Sequence, residues 1–491
     1  MTILTLIPLA GALLAALLPS PRAARTAAAG FLFAALGFAL FLALGYDRAA
    51  GGIQFVERQE WIPALGVEYF VGADGMSLML LLLTTFVTPF ALLAAGPGIP
   101  RIHVVLILLL EATLIGTFTA LNFIHWFLFY ELSLVPAFLL IRSSGTKAAT
   151  AAALRFFIYT LVGGLAMLIG FLAIQIAAGT FDLVRLAGLG PSLDGLLCAR
   201  FQWPFAGALV FAGIFLGLAV KVPIVPFHTW LPDAYAEAPS PVTMLLTGLM
   251  SKMGLYGFLR LLLPLFPQRM QELAAPLLWL ALATILLSAF TALVQTDLKR
   301  MLAYSSIIHL GYCLLGIFAV AAVPAGASSA SGARDAAMTG VLLQIFNHGL
   351  TASALFCFAG FLEARSGGLR GLRDFGGLRT AAPVFAGLMG IALFSSLGLP
   401  GLNGFVGEFL IFSGTFHLVP WAAAIAAIGL FITAVFLLNA IQNLFTGPLP
   451  QRWAKFPDLT RSEVALAAPA IALMFVLGSY PQVLIALFNQ P

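Results

Sequence analysis

Continuous apolar runs of about 20 residues, the length that crosses a bilayer as a helix, recur along nearly the whole chain. Backbone groups in hydrocarbon must pair internally, so such runs form helices or a closed barrel. The runs do not alternate polar with apolar, which points to helices. Only 9% of the 491 residues are charged and 61% are hydrophobic, whereas roughly a quarter of an average soluble chain is charged. No soluble core hides that much apolar surface, so lipid is the solvent. The predicted class is an all-α polytopic membrane protein.

Fourteen spans are predicted, at 3–19, 27–45, 75–95, 102–121, 124–141, 153–178, 205–235 (broken), 239–263, 273–295, 301–323, 338–362, 382–417 (broken), 421–446 and 464–487. The first run resembles a signal peptide in length. However, its start is uncharged and Arg22 and Arg25 follow it, so it is read as a retained span. Counted alternately, one set of loops holds fifteen Lys and Arg residues and the other set seven. The richer set is expected in the cytoplasm, which places both termini outside it, at a bacterial inner membrane. Residues 50–72 predict an external hairpin around Pro63 and Gly66. Residues 323–337, rich in Ala, Gly and Ser, read as a flexible loop. The loop 365–379 is basic and glycine-rich, but no strand precedes it as a nucleotide fingerprint requires.

Two spans are longer than one helix and broken in the middle, at "KVPIVP" (221–226) and "SSLGLPGLNGFVGEF" (395–409). They are the seventh and twelfth spans, so spans 4–8 and 9–13 read as two copies of a five-helix unit. Five is odd, and the second copy must enter the membrane inverted. Paired broken helices at corresponding positions mark inverted-repeat transporters, with the pathway near the breaks. Ordinary kinks are the alternative. The predicted division is a three-helix region over 1–100, repeats over 101–264 and 272–446, and a loop with a last helix over 447–491.

Ionisable residues inside spans are costly and persist where they pair, face water or carry ions. They are Glu111, Glu131, Lys221, Lys252 and Glu408, joined by His309 and His348, with His228 and Asp233 just past the first break. Pro223 and Pro226 lack the N–H that would bond the carbonyls of Ala219 and Val222, which are thereby expected to be free to hold water or the Lys221 ammonium. Burial disfavours a charged lysine and a nearby carboxylate favours it. A lysine with a movable acidic partner therefore exchanges protons, and Glu131 is the natural partner. Lys252 follows on the next span, where Gly248, Ser251 and Gly254 allow close packing. His309 and His348 suit a relay. Glu408, eight residues past Pro400 and so about 12 Å along a helix, is expected at the far terminal. Each site has a structural alternative: a static Glu131–Lys221 ion pair, a snorkelling Lys252, histidines that only pack. Glu111 has no motif around it, and His228 and Asp233 can simply border the cytoplasmic end. Together, spans 5, 7, 8, 10, 11 and 12 each supply one titratable group to a lateral polar axis.

Cys198, Cys313 and Cys357 lie far apart, with neither metal-ligand nor iron–sulfur spacing. The net charge of +5 resides in short loops rather than in a nucleic-acid-binding patch. No cofactor and no metal is therefore expected.

"FYELSLVPAFLLI", "KVPIVPFHTWLPDAYAEAPSPVTMLLTGLMSKMGLYG", "DLKRMLAYSSIIHLGY", "NHGLTASALFCFAGFL" and "GLPGLNGFVGEF" resemble the antiporter-like subunits of respiratory complex I. Similar sequences occur in Mrp-type sodium/proton antiporters and membrane-bound hydrogenases. The resemblance covers most of spans 3–13. It implies a proton-translocating part of NADH:quinone oxidoreductase, with quinone chemistry in other subunits. Glu131 and Lys221 match the family's glutamate–lysine pair, Lys252 its bridging lysine, and His309 its histidine. Two of the three antiporter-like subunits, L and N, usually carry lysine where Glu408 stands. The likeness is thus to the third, with L and N as expected neighbours. An Mrp-type antiporter or hydrogenase subunit, and a passive scaffold, are the alternatives. The resemblance does not speak for Glu111 or His348.

Overall fold

Polar caps and prolines set where the apolar runs become helices. Asp74, Asn122, Thr146, Asp182, Asp297 and Thr460 each accept a hydrogen bond from the first turn of the helix they precede. Pro21, Pro383 and Pro420 occupy first helical positions, where their missing N–H costs nothing. A computed structural model describes residues 1–324 and 330–488.

Among the described residues, 11 helices are long and apolar enough to cross a membrane, or 12 if one bent pair is a single span. They coincide with the predicted spans except at 3–19, 205–235 and 382–417. Those three fall on shorter helices: Thr2–Leu17, then Ala206–Lys221 with Trp230–Glu237, then Pro383–Leu397 with Asn403–Leu418. The predicted hairpin is present as Gln54–Ile62 paired antiparallel with Val67–Ala73. It turns at Pro63–Leu65 and Gly66. The Leu121 N–H donates to the Phe70 carbonyl (2.9 Å) and Arg58 pairs with Asp182 (2.9 Å), which fixes the hairpin to the bundle.

Residues 179–204 were expected to be a loop, but Leu183–Phe201 is a helix bent 118° from Ala206–Lys221. Leu186, Leu193 and Leu197 bury one face, while Arg185 and Arg200 leave the run too polar to register as a span. The seven Lys and Arg residues of the poorer set of loops include Arg260, which lies in the continuous span Ser240–Leu265 rather than in a loop. The flexible-loop prediction is also too broad. Residues 325–329 lie outside the described residues, but the next helix, Ser331–Ser366, starts seven residues before the predicted 338. Arg334 anchors it through the carbonyls of Val323 (2.7 Å) and Pro324 (2.9 Å).

Both predicted breaks are present. Helix stops at Lys221 and resumes at Trp230, and it stops at Leu397 and resumes at Asn403. Gly398 (φ 81°) occupies the left-handed region that ends Pro383–Leu397. Lys147–Ala178 packs along Ala206–Lys221, and Ser331–Ser366 packs along Asn403–Leu418.

Candidate functional site

The first break does not hold Lys221 through freed carbonyls, as the prolines suggested. The Ile224 N–H reaches back to the Ala219 carbonyl (2.9 Å), and the Trp230 indole N–H takes the Val220 carbonyl (3.0 Å). The Val225 N–H finds the Thr284 hydroxyl (3.0 Å). The Ala219 carbonyl, one of the two expected to be free, is thus taken by the break's own backbone. Lys221 Nζ is buried with no hydrogen-bond partner among the described protein atoms. It lies 4.5 Å from the centre of the Tyr130 ring, a cation–π contact.

Glu131, the expected partner, is near in sequence to that ring but not paired. No ion pair within 4.0 Å joins it to Lys221, and both its carboxylate oxygens are buried without partners among the described residues. Gly164 is what makes room for it: a Cβ there would lie 2.0 Å from Glu131 Oε1. The pair is therefore an open one, with Tyr130 beside the lysine.

Lys252 sits between two π-helical segments, Leu246–Met250 and Phe258–Leu262, a local widening that is frequent at functional sites. Its Nζ donates to the Thr247 carbonyl (2.5 Å) and Ser251 Oγ (3.2 Å), and lies 2.8 Å from His348 Nδ1. Gly254 packs against Val222 and Lys221 as expected of a small residue at that interface. Gly248 instead faces Gly349 and Ser353 on Ser331–Ser366, which brings the His348 helix close.

From His348 the polar contacts continue. The rings of His348 and His309 are 5.2 Å apart between centres. His309 Nδ1 lies 2.9 Å from Glu408 Oε1, and its Nε2 lies 3.2 Å from Ser396 Oγ. Gln344 Nε2 donates to Glu408 (3.3 Å) and approaches His309 Nδ1 (3.4 Å). Glu408 closes this set of contacts, directly against His309. A cavity of about 10 Å³, the size of one water-sized sphere, is lined by His309, Gln344, His348, Thr351, Ser396 and Glu408. Below it, Thr351, Ser395, Asn347 and Asn403 bond one another across the second break.

The structure therefore brings Lys252, His348, His309 and Glu408 together, with Glu131 and Lys221 as a separate open pair. Glu111 is buried, and both its oxygens lack partners among the described residues. His228 Nδ1 also lacks one. Asp233 is a surface clamp, paired with Arg155 (2.5 Å) and Arg300 (2.7 Å). Gln344, Ser396 and Tyr130 escaped the sequence reading. Gln344 and Ser396 are uncharged polar residues in apolar runs and give no strong signal, but Tyr130 precedes Glu131 in the quoted "FYELSLVP".

Residues 120–433 match the family NADH:quinone oxidoreductase/Mrp antiporter, transmembrane. The chain is 35% identical over 494 residues to NADH-quinone oxidoreductase subunit M of Rhodobacter capsulatus, covering 98% of this chain and 93% of that one. It is 34% identical over 454 residues to the subunit M of Rickettsia typhi, covering 92% and 87%. Among solved structures it superposes on a chain of respiratory complex I from Thermus thermophilus with bound NADH. The TM-score there is 0.84 at 29% identity, covering 99% of this chain and 97% of that one.

Proposed function

We propose that this chain, which belongs to the NADH:quinone oxidoreductase/Mrp antiporter family, moves protons through the buried Lys252–His348–His309–Glu408 contacts, loaded from the Lys221–Glu131 pair. It is a proton-translocating membrane subunit of NADH-quinone oxidoreductase, of the subunit M type. Quinone reduction belongs to other subunits, and this chain answers to it electrostatically. The observation that carries the residue assignment is the unbroken set of side-chain contacts from one broken-helix unit to the other. Lys252 belongs to the first unit, and His309, His348 and Glu408 belong to the second. Every member can hold a proton, and each neighbour stands within hydrogen-bond or ring-contact range.

The two units are read as the inverted repeats 101–264 and 272–446 of a fourteen-span chain. In support, the helix before each broken span packs along the half nearest the charge. The excess of basic residues in one set of loops supports termini on the outer side of the inner membrane. The neighbours in the membrane arm are then the lysine-bearing subunits L and N.

Replacing Lys221 by alanine tests this in the assembled complex. Proton pumping per NADH oxidised, read in inside-out vesicles by a ΔpH-sensitive dye, should fall, whereas a fully assembled mutant that pumps like wild type overturns the assignment. A stimulation of flux by sodium at constant quinone reduction would instead favour an Mrp-type exchange.

A further inference from the structure

Lys252, Tyr256 and Arg260 follow one another at every fourth residue and so share one helix face. That face runs from the Lys252 station toward the hairpin end of the bundle. There, Arg260 Nη2 pairs with Asp74 Oδ2 (2.6 Å) and donates to Ser77 Oγ (3.3 Å). Its Nε donates to the Tyr256 hydroxyl (3.2 Å). Tyr256 in turn can donate to the Phe118 carbonyl (3.3 Å) and lies 3.4 Å from Ser77 Oγ. Both hydroxyls beside the path therefore touch the guanidinium. Asp74, on its far side, borders a cavity of about 190 Å³ shared with Tyr46 and Arg48. The side chains of Arg260 and Asp74 are only 15% and 22% exposed.

Proton conduction along hydrogen bonds needs groups that both accept and donate. Tyrosine and serine do both, and aspartate accepts. Guanidinium offers five donors, has no acceptor and stays charged. Placed between the two hydroxyls and Asp74, it breaks the wire. Its fixed charge also stands eight residues, about 12 Å, from Lys252. Asp74, 2.6 Å away, offsets most of that charge, so the block rests chiefly on the missing acceptor rather than on repulsion.

We propose that Arg260, held by Asp74, Ser77 and Tyr256, is a proton-insulating plug that seals the Lys252 station from the cavity at the hairpin end. Protons reaching Lys252 then leave only sideways, to His348. The plug rests on the reading of Lys252 as a proton station, and the experiment separates the two.

The assembled complex carrying Arg260→His, Arg260→Lys or Arg260→Ser is reconstituted in proteoliposomes. Passive proton entry is measured with the enzyme idle, and pumping with it turning over. Histidine at 260 can accept and pass a proton, so idle proton entry should rise clearly above wild type, with NADH oxidation unchanged and the steady ΔpH lowered. Arg260→Lys should stay as tight as wild type. Adding Lys252→Ala to Arg260→His should abolish the leak. An assembled Arg260→His that remains tight overturns the plug. If that variant does not assemble, Arg260→Ser, whose hydroxyl both accepts and donates and whose small size removes the guanidinium, decides: a leak supports the plug and tightness overturns it. Lys252→Ala alone, if it pumps normally, overturns the station reading and the plug with it.

Discussion

His348 separates a structural from a proton-carrying role, because two substitutions split what its ring does. Its Nδ1 lies 2.8 Å from Lys252 Nζ, and that lysine is fully buried. His348→Ala leaves one donor of a buried amine unpaired, at a cost of about 1–3 kcal/mol. By the factor of ten per about 1.4 kcal/mol, the well-packed state is disfavoured roughly 5- to 150-fold. Asparagine places an amide oxygen near the position of Nδ1 and can keep the bond to Lys252, yet it cannot take up a proton near neutral pH. His348→Asn should therefore restore the abundance of the assembled complex on native gels, while pumping per NADH stays below wild type. His348→Ala should lose both. The relevant number is the ratio of the initial rate of dye-reported acidification to the rate of NADH oxidation in the same vesicles. If His348→Asn assembles and that ratio equals wild type, protons do not pass through this ring, and the contact with Lys252 is structural only.

Gly164→Val should displace the Glu131 carboxylate, since even a Cβ would lie 2.0 Å from Oε1. A misplacement of about 1 Å can cost on the order of a hundredfold in a positioned reaction, so pumping should drop more than assembly, as judged by the same ratio and native gels. Asp233→Asn should do little. Its partners Arg155 and Arg300 are 62% and 37% exposed, and such pairs contribute about 0–1 kcal/mol. A large loss of pumping in Asp233→Asn, measured as the acidification ratio, would show that this surface clamp governs the break above it.

Much of this was legible in the sequence because lipid leaves few options. A charge in an apolar run has no solvent-exposed face on which to be idle, so Lys221, Lys252, Glu131 and Glu408 stood out one by one. Their mutual geometry was another matter. Pro223 and Pro226 announced the first break correctly, but removing two N–H groups did not say which others would fold back to fill the carbonyls. Ile224 takes the Ala219 carbonyl and Trp230 the neighbouring Val220 carbonyl, and Lys221 is left to the Tyr130 ring. The helix Leu183–Phe201 was missed because its apolar face is narrow and its other face carries arginines, so a search tuned to full spans passes over it. Gln344 bridges His309 and Glu408 from a helix far away in sequence, and only the packing of Ser331–Ser366 along Asn403–Leu418 brings it there.

The two halves of the site differ in how their charges are satisfied, and that difference bears on direction. Lys252, His348, His309 and Glu408 have hydrogen-bond or ring partners in one another. Lys221 and Glu131 have no hydrogen-bond partners among the described residues. A buried charge without partners pays its desolvation in full, so an open pair is the less stable arrangement of the same two groups. Closing Lys221 onto Glu131 relieves that cost, and opening it restores the cost, so the pair acts as a spring. The Lys252 amine has less to gain on rearrangement, because it already has Thr247, Ser251 and His348 as partners. In the mechanism proposed above, energy delivered by quinone reduction elsewhere would act at Lys221, and the Lys252-to-Glu408 contacts would pass on the proton released there. No hydrogen bond joins Lys221 Nζ to Lys252 among the described residues, and Gly254, two residues past Lys252, packs on the Lys221 stem. Transfer between them thus requires a water or a swing of the Lys221 side chain off Tyr130, which makes that ring the natural hold on the spring.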